Sequence, residues 1–202
     1  MKLMCGRFEN NISPYPIIEQ LKFHFPDFDF EMDEVQTRKI NIGPTSKILT
    51  LTNLGHKYKI IPMTWGIKFK EDSPLIFNSR IETIRDKKYW YNLFDKNRCL
   101  VPMTAFYEWK REGSRKVPYR IFLPDEKLFF VPALYLKKEE EFFTSLITTI
   151  PNSFIKKIHH RMPVIFRINE ALNYFTDNDS ENLKRCIPLN DKIKMGMERT
   201  EI

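Results

Sequence analysis

Apolar and polar residues alternate along this chain with two different periods, and the period predicts where strands and helices lie. Strand-like alternation and short apolar runs dominate the middle of the chain. They predict strands at 47–52, 57–63, 99–101, 119–123, 128–134 and 142–149. The first two strands are separated by Asn53-Leu54-Gly55 and are expected to form a hairpin.

Helical spacing appears mainly near the ends and in one insertion. A helix is predicted at 17–23, with Pro16 in its first turn, and residues 25–30 are expected to form a loop packed on the core. Further helices are predicted at 85–97, 151–158 and 170–175, the last with Asn169 as its N-cap. The apolar stripe of the 85–97 helix consists of Tyr89, Trp90, Leu93 and Phe94.

These elements predict an α+β fold: a mostly antiparallel β-sheet or open barrel core with flanking short helices. Alternating βαβ units and a glycine-rich phosphate loop are both missing from the sequence, which argues against a doubly wound nucleotide-binding fold. No repeat, low-complexity block or Gly/Ser linker divides the 202 residues, so a single domain over 1–202 is expected.

The chain has 33 basic and 26 acidic residues and a formal charge of +7. This excess favours a polyanionic partner, although ordinary solubility explains it equally well. No apolar run is long enough to span a membrane, and residues 1–5 lack the apolar stretch of a lipoprotein signal. We therefore expect no membrane partner and a monomer.

The three cysteines, Cys5, Cys99 and Cys186, form no CxxC pair and leave an odd count. Neither a disulfide framework nor a cysteine zinc site is expected, and no metal or other cofactor is implied. A reducing cytoplasm is the natural compartment. Cys99 and Cys186 are interpreted as core residues.

Cys5 follows a methionine in Met4-Cys5-Gly6-Arg7-Phe8. Removing that methionine would leave an α-amine beside a thiol, with pKa values of about 8 and about 8.5. Such a 1,2-aminothiol condenses with an aldehyde and closes a five-membered thiazolidine ring. Taken alone, the pentapeptide favours the alternative, a half-buried cysteine in a first strand.

Asn78, Arg80 and Glu82 share one face if 77–83 is an extended segment. An amide, a guanidinium and a carboxylate on one face suit a phosphate and a sugar. The alternative is a solvated strand face that carries an Arg–Glu ion pair.

Two further segments carry groups that transfer protons. Glu108 lies between Tyr107 and Trp109 in an apolar run, where burial would suit it to general acid/base catalysis. It would otherwise be an exposed strand residue. His159 and His160 point in different directions, so they are poor joint metal ligands, but one of them could supply a proton. Ordinary surface or capping histidines are the alternative.

Taken together and in order, the motifs resemble the SOS response-associated peptidase family, the abasic-site processing proteins. The resemblance runs from Met4 to about Ile165. It is carried by Met4-Cys5-Gly6-Arg7-Phe8, Asn41-Ile42-Gly43-Pro44-Thr45, Trp65-Gly66, Asn78-Ser79-Arg80-Ile81-Glu82-Thr83, Arg98-Cys99-Leu100-Val101-Pro102, Phe106-Tyr107-Glu108-Trp109 and His159-His160-Arg161-Met162-Pro163. Each motif is weak alone, and the ordered set is specific.

The resemblance implies that Cys5 forms a thiazolidine with the ring-opened aldehyde of an abasic site in single-stranded DNA. It assigns Asn78 and Arg80 to the abasic nucleotide and its phosphate, and Arg7 and Trp65 join them as DNA-binding residues. Glu108 is the acid/base for ring opening, and His159 assists formation and reversal of the crosslink. His160 occupies a variable position and carries less weight. The implied location is the cytoplasm, at damaged DNA.

Two features depart from the family pattern. Met1-Lys2-Leu3 precede Met4, so either Met4 is the true initiator or residues 1–4 are removed. If residues 1–4 persist, Cys5 has no free amine and cannot form a thiazolidine. Ser79 and Ile81 replace alanines that are common in the family, and both are expected to face away from the site.

Three functions stay open from the sequence. A DNA–protein crosslinker would use basic residues on phosphates and aromatic residues such as Trp65 or Tyr107 on bases, with weak strand cleavage through a Schiff base. A peptidase would use Cys5 as an N-terminal nucleophile that cuts its own leader. A non-catalytic single-strand binder would need the basic face but not Cys5.

Overall fold

The computed structural model describes residues 6–26, 29–32, 39–54 and 57–202. Its strands are β1 Arg7–Asn10, β2 Phe30–Met32, β3 Lys39–Ile42, β4 Lys47–Leu54, β5 Lys57–Trp65, β6 Asn78–Arg80, β7 Arg98–Met103, β8 Ala105–Glu112, β9 Arg115–Phe122, β10 Phe129–Lys138, β11 Glu141–Thr149, β12 Met162–Pro163 and β13 Gly196–Arg199. Its helices are α1 Pro14–His24, α2 Ile81–Asp86, α3 Lys88–Lys96, α4 Ile168–Ala171, α5 Asn173–Thr176 and α6 Asp179–Arg185, and a 3-10 turn lies at Ile155–Lys157. The predicted α+β class, with mostly antiparallel strands and short helices, is confirmed.

Five strands close into a barrel. Antiparallel pairs connect them in the order β5-β4-β7-β10-β11, and a short parallel contact between β11 and β5 completes the ring. That contact pairs Phe143 with Thr64 and Thr144 with Trp65. β2 pairs with β5, while β6 and β12 pair with β11. The sequence predicted a sheet or an open barrel, whose end strands would expose unpaired backbone N–H and C=O groups. Closure instead pairs the two end strands, β5 and β11, with each other.

A second, antiparallel sheet has the order β13-β9-β8-β1-β3. Its Phe8 and Phe106 share a core with Met63, Trp65 and Val101 of the barrel. A separate core joins other barrel residues to the helices. The two cores take alternate residues of one strand, since Leu100 belongs to the helical core while Cys99 and Val101 belong to the other. Burial on both faces explains the continuous apolar runs of β7 and β10.

The predicted hairpin is confirmed as β4 and β5, which pair from Lys47–Thr64 to Leu54–Lys57. Both strands are longer than expected, and Asn53 and Leu54 of the expected turn belong to β4. Gly55 lies outside the described residues. The helix predicted at 17–23 is α1, which begins earlier because Pro14 occupies its first turn. The prediction of a loop at 25–30 is wrong at its end, because Phe30 begins β2, and residues 27 and 28 lie outside the described residues.

The helix predicted at 85–97 is two helices, α2 and α3, separated at Lys87, whose backbone is extended. At about 100° per residue, one straight helix would place the buried Ile81 and Ile84 opposite Trp90, Leu93 and Phe94. The break allows both sets to face the core. Tyr89 of the predicted stripe is 47% exposed.

The other two predicted helices are also shorter than expected. Between 151 and 158 only a 3-10 turn forms, and the buried Asn152 side chain accepts the Ile155 N–H at its start. The 170–175 segment is divided between α4 and α5. The residue that caps α4 is Arg167, whose backbone N–H donates to Glu170, so the prediction of Asn169 as the cap is wrong. No helix in the described ranges is long and apolar enough to cross a membrane.

A row of polar side chains crosses the second sheet. The buried Glu9 carboxylate accepts the Tyr107 hydroxyl at 2.6 Å, Arg120 Nη2 at 2.6 Å and the Thr104 hydroxyl at 2.9 Å. Arg120 also donates to Glu198 on β13 at 3.1 Å. Burial alone would raise the pKa of Glu9, but the bonds from Arg120, Tyr107 and Thr104 outweigh it, and the pKa is lowered. The row connects β1 to β8, β9 and β13.

We predict that Glu9→Gln lowers the free energy of unfolding by about 2 kcal/mol at pH 7, because Arg120 loses its buried partner. The pKa of Glu9 is lower in the folded state, so its contribution is complete above the ordinary value of 4.5 and is lost as the pH falls through the folded value. Urea unfolding of both proteins at pH 7 and pH 3.5 measures this.

Glu198→Gln is the matched control, because this carboxylate contacts the same arginine but is 56% exposed. It should change the stability by less than about 0.5 kcal/mol. A Glu9→Gln loss that is equal at both pH values would contradict an ionic contribution from Glu9.

Candidate active site

A cleft of about 1120 Å³ opens beside β1, the β8–β9 hairpin and the segment from Pro151 to His160. Three of the residues lining it carry a carboxylate or an imidazole that can transfer protons, Glu108, His159 and His160. Gly6, the first residue that the structure describes, also lines it. Cys5, the predicted nucleophile, lies outside the described residues.

Glu108 is 1% exposed, so the expectation of a buried carboxylate is confirmed and the exposed alternative is wrong. His159 Nδ1 lies 3.7 Å from Glu108 Oε1. The same nitrogen is 3.2 Å from both the backbone N–H and the carbonyl oxygen of Arg161. Without a proton Nδ1 accepts that N–H, and with a proton Nδ1 donates to the carbonyl, so the backbone holds the imidazole in either state. A carboxylate and an imidazole at this distance can pass a proton to and from a bound molecule.

Arg161 fixes the segment that carries His159. Its guanidinium donates to both oxygens of Glu82, at 2.8 and 2.9 Å, and to the Thr148 carbonyl at 2.8 Å. The Arg161 side chain is 8% exposed and that of Glu82 is 47% exposed. The bonds from Arg161 lower the pKa of Glu82. This bidentate pair connects α2 to the end of β11 and to the histidine segment.

Asn78 and Arg80 occupy β6, as an extended segment requires, and pair with Leu146 and Thr148 of β11. The expectation that Glu82 shares their strand face is wrong, because α2 begins at Ile81 and Glu82 bonds to Arg161 instead. Asn78 and Arg80 are not among the residues that line the cleft of Glu108 and His159. They lie beside β11, and the chain that follows β11 lines this cleft at Pro151.

The two residues that depart from the family pattern face the core. Ser79 is 3% exposed, and its hydroxyl is 2.7 Å from that of Ser145. Ile81 is also buried. Both therefore lie away from the exposed side of Arg80, as predicted.

Trp65 does not have the surface position that stacking on a base requires. It is fully buried, packs edge-on against Phe8 and donates its indole N–H to the Phe77 carbonyl. Tyr107 is 3% exposed and bonds to Glu9. Both expectations of stacking are corrected by this burial. The aromatic residue that lines the cleft is Trp109, two positions after Tyr107 on the same strand.

The basic residues of the cleft were not identified from the sequence, apart from Arg7. Arg7 lies over Gly43, where a β-carbon would come within 2.9 Å of the guanidinium. Arg111, Lys116 and Lys156 complete the set. Ion pairs between described residues include none of these four. The usable signal was Trp109-Lys110-Arg111-Glu112-Gly113-Ser114-Arg115-Lys116, a basic hairpin with an aromatic residue.

The remaining cysteines are free and buried, as predicted, and burial raises the pKa of both thiols to about 12. In the described ranges no group of three or more His, Cys, Asp or Glu side chains is placed to hold a metal ion. The cleft therefore combines a carboxylate, imidazoles and cations that form no ion pair with another described residue, an arrangement suited to acid/base chemistry on a phosphate-bearing molecule.

Comparison with known proteins identifies the family. The family model of the SOS response associated peptidases (SRAP) matches residues 4–200. The chain belongs to this family. SRAP membership was expected from the ordered motifs and is confirmed.

The SRAP relatives include two bacterial proteins. The abasic site processing protein YoaM of Bacillus subtilis is 36% identical over 173 residues, covering 80% of this chain and 74% of YoaM. The abasic site processing protein YedK of Escherichia coli is 23% identical over 198 residues, covering 93% of this chain and 89% of YedK. A crystal structure of a protein from Bacteroides thetaiotaomicron has the same fold, with a TM-score of 0.79, 22% identity, and coverage of 98% of this chain and 92% of that one.

Replacing Arg161 with lysine tests the bidentate pair. An ammonium group cannot reach both Glu82 oxygens and the Thr148 carbonyl at once, so we expect Arg161→Lys to lower the free energy of unfolding by about 2 kcal/mol. Urea denaturation at neutral pH measures the loss. Arg111→Lys, the same change at an exposed cleft residue, should alter stability by less than about 0.5 kcal/mol, and similar losses from both changes would contradict the role of Arg161.

Proposed function

We propose that this protein processes abasic sites in single-stranded DNA by forming a covalent thiazolidine through Cys5. The observation that carries the proposal is that Gly6, Glu108 and His159 line one cleft with four basic residues. Cys5 is the residue covalently bonded to the Gly6 nitrogen. The names of the relatives YoaM and YedK, abasic site processing proteins, support the same substrate.

The chemistry requires a protein chain whose first residue is Cys5, so that this residue has a free α-amine. The α-amine of Cys5 attacks the aldehyde carbon of the ring-opened deoxyribose, and the resulting carbinolamine loses one water to give an imine. The thiol sulfur then adds to the imine carbon, and the thiol proton passes to the nitrogen. One C–N bond and one C–S bond form, one water leaves, and no oxidant or reductant is consumed.

Glu108 and His159 supply the proton transfers in this proposal. Glu108, buried beside the imidazole, donates a proton to the ring oxygen of the closed sugar, which becomes a hydroxyl as its bond to the anomeric carbon breaks. The carboxylate then receives the proton of the anomeric hydroxyl, whose oxygen becomes that of the aldehyde. His159 assists loss of the carbinolamine hydroxyl and the reverse reaction. The network that lowers the pKa of Glu82 keeps that carboxylate ionised and bonded to Arg161, so it is not a competing acid.

DNA binding is assigned to the basic residues and to Trp109. Arg7, Arg111, Lys116 and Lys156 contact strand phosphates, and the half-buried Trp109 ring takes the stacking role that Trp65 cannot fill. Asn78 and Arg80, on the adjoining β6, hold the abasic nucleotide and its phosphate. A single strand exposes both its bases and the abasic sugar to these groups. In this proposal the protein acts as a monomer on damaged DNA in the cytoplasm.

An intact-mass experiment tests the covalent step. Protein confirmed to begin at Cys5 is mixed with a single-stranded oligonucleotide that carries one abasic site. We expect an adduct equal to protein plus DNA minus one water, and no such adduct from protein that retains residues 1–4, because its Cys5 nitrogen is an amide.

Cysteine variants provide the matched controls. Cys5→Ala should abolish the adduct, while Cys186→Ala should retain it, because the Cys186 thiol is buried with a pKa of about 12. No adduct from protein that begins at Cys5 would overturn the crosslinking function and favour peptidase activity or plain binding.

The phosphate contacts predict a salt dependence. Lys116→Gln should reduce the slope of log affinity against log salt concentration by about 0.7, the value for one phosphate contact on a single strand. Fluorescence anisotropy with an unmodified oligonucleotide measures the slope. Lys138→Gln, at an exposed position at the end of β10, should leave the slope unchanged. Equal changes in both variants would contradict phosphate binding by the cleft residues.

A further inference from the structure

His160, which the family pattern leaves variable, is in contact with the ring of His159. The two ring centroids are 4.3 Å apart and the planes are inclined by 37°. Both residues line the cleft. The His159 side chain is 10% exposed, and His160 is exposed. A titrating group at the surface of the protein therefore touches the imidazole of the proposed acid/base pair.

Two groups next to His159 favour its protonated form. Glu108 Oε1 lies 3.7 Å from its Nδ1, and the Arg161 carbonyl oxygen lies 3.2 Å from the same nitrogen. A carboxylate stabilises an imidazolium by charge, and the carbonyl accepts a hydrogen bond from Nδ1 when that nitrogen carries a proton.

The opposing charges come from the rest of the cleft wall. Arg7 of β1, Arg111 and Lys116 of the β8–β9 hairpin, and Lys156 of the 3-10 turn bring basic side chains to the cleft. The Arg161 guanidinium is bonded to Glu82 and Thr148. Among these described basic groups, His160 is the one with an imidazole, the side-chain type whose charge ordinarily changes between about pH 5 and 8.

We propose that His160 is a positioning residue that sets the protonation of His159 through its charge. Two imidazolium rings in contact repel each other, so a proton on His160 holds His159 in its neutral form. A DNA phosphate beside the exposed His160 favours a proton on that ring, and the repulsion then opposes a proton on His159. The link to the reaction rests on the proposed function, while the coupling between the rings does not.

NMR titration of the histidine ring protons in the free protein tests the coupling. In His160→Gln, which removes the charge, the pKa of His159 should rise by about half to one unit. In His160→Lys, which makes the charge permanent, it should fall by a similar amount. Loss of the ring contact alone would shift both variants in the same direction, so opposite shifts identify the charge as the cause. Lys157→Gln, an exposed change in the neighbouring turn, should cause no shift.

The rate of adduct formation against pH tests the link to the reaction. The limb that reports His159 should move to higher pH in His160→Gln and to lower pH in His160→Lys. An unchanged pKa of His159 in both variants would overturn the inference even if the wild-type protein crosslinks DNA. If wild-type protein forms no adduct, the proposed function and the role of His160 in it both fail, whereas opposite shifts in the titration would still establish the charge coupling.

Discussion

The arrangement of the cleft depends on the hydrogen-bond acceptors that the buried Arg161 guanidinium requires. Arg161 is almost fully buried, and an uncompensated charge in that position would be strongly destabilising. Its acceptors come from α2, through Glu82, and from β11, through Thr148. The backbone N–H of the same residue meets the His159 ring. The hydrogen bonds of this one residue therefore set the relative position of a helix, a barrel strand and the proposed acid/base histidine.

The same constraint explains how Asn78 and Arg80 relate to the cleft. β6 pairs with β11 and leads directly into α2, so the bond from Arg161 to Glu82 holds the end of this segment. Arg80 remains exposed, whereas the carboxylate two positions later is used internally. An Arg–Glu pair on a solvated face was the simple interpretation of this segment. The Glu82 carboxylate instead accepts hydrogen bonds from Arg161, a buried residue from a distant part of the chain.

Local features of the fold were predictable from the sequence because they depend on neighbouring residues. The β4–β5 hairpin, α1 and the burial of Cys99 and Cys186 are examples. Contacts between distant segments were not predictable, since alternation gives the face of a strand but not its partner. The β5–β11 contact that closes the barrel and the row of side chains around Glu9 are of this kind.

The site shows the same division. The ordered motifs gave Glu108 and His159, and the structure brings them to 3.7 Å. They gave the wrong tryptophan for base stacking, because residue type does not tell whether an aromatic ring is buried. Trp65 lies in the core between Phe8 and Phe77, whereas Trp109 reaches the cleft from a strand whose neighbouring Tyr107 is buried. Contacts between distant segments of the chain decide which strand lines the cleft.

Three carboxylates show how environment, rather than residue type, distinguishes the proposed acid/base from structural anions. Glu9 and Glu82 each accept two hydrogen bonds from one arginine, and in both the pKa is lowered, so each is held as an anion that has a structural use. Glu108 is as buried as Glu9 but faces an imidazole in a cleft. Environment also distinguishes the cysteines. Burial raises the pKa of the Cys99 and Cys186 thiols to about 12, which suppresses their thiolates. Of the three cysteines in the sequence, the one bonded to a cleft residue is Cys5, and the chemistry proposed for it requires an N-terminal amine as well as a thiol.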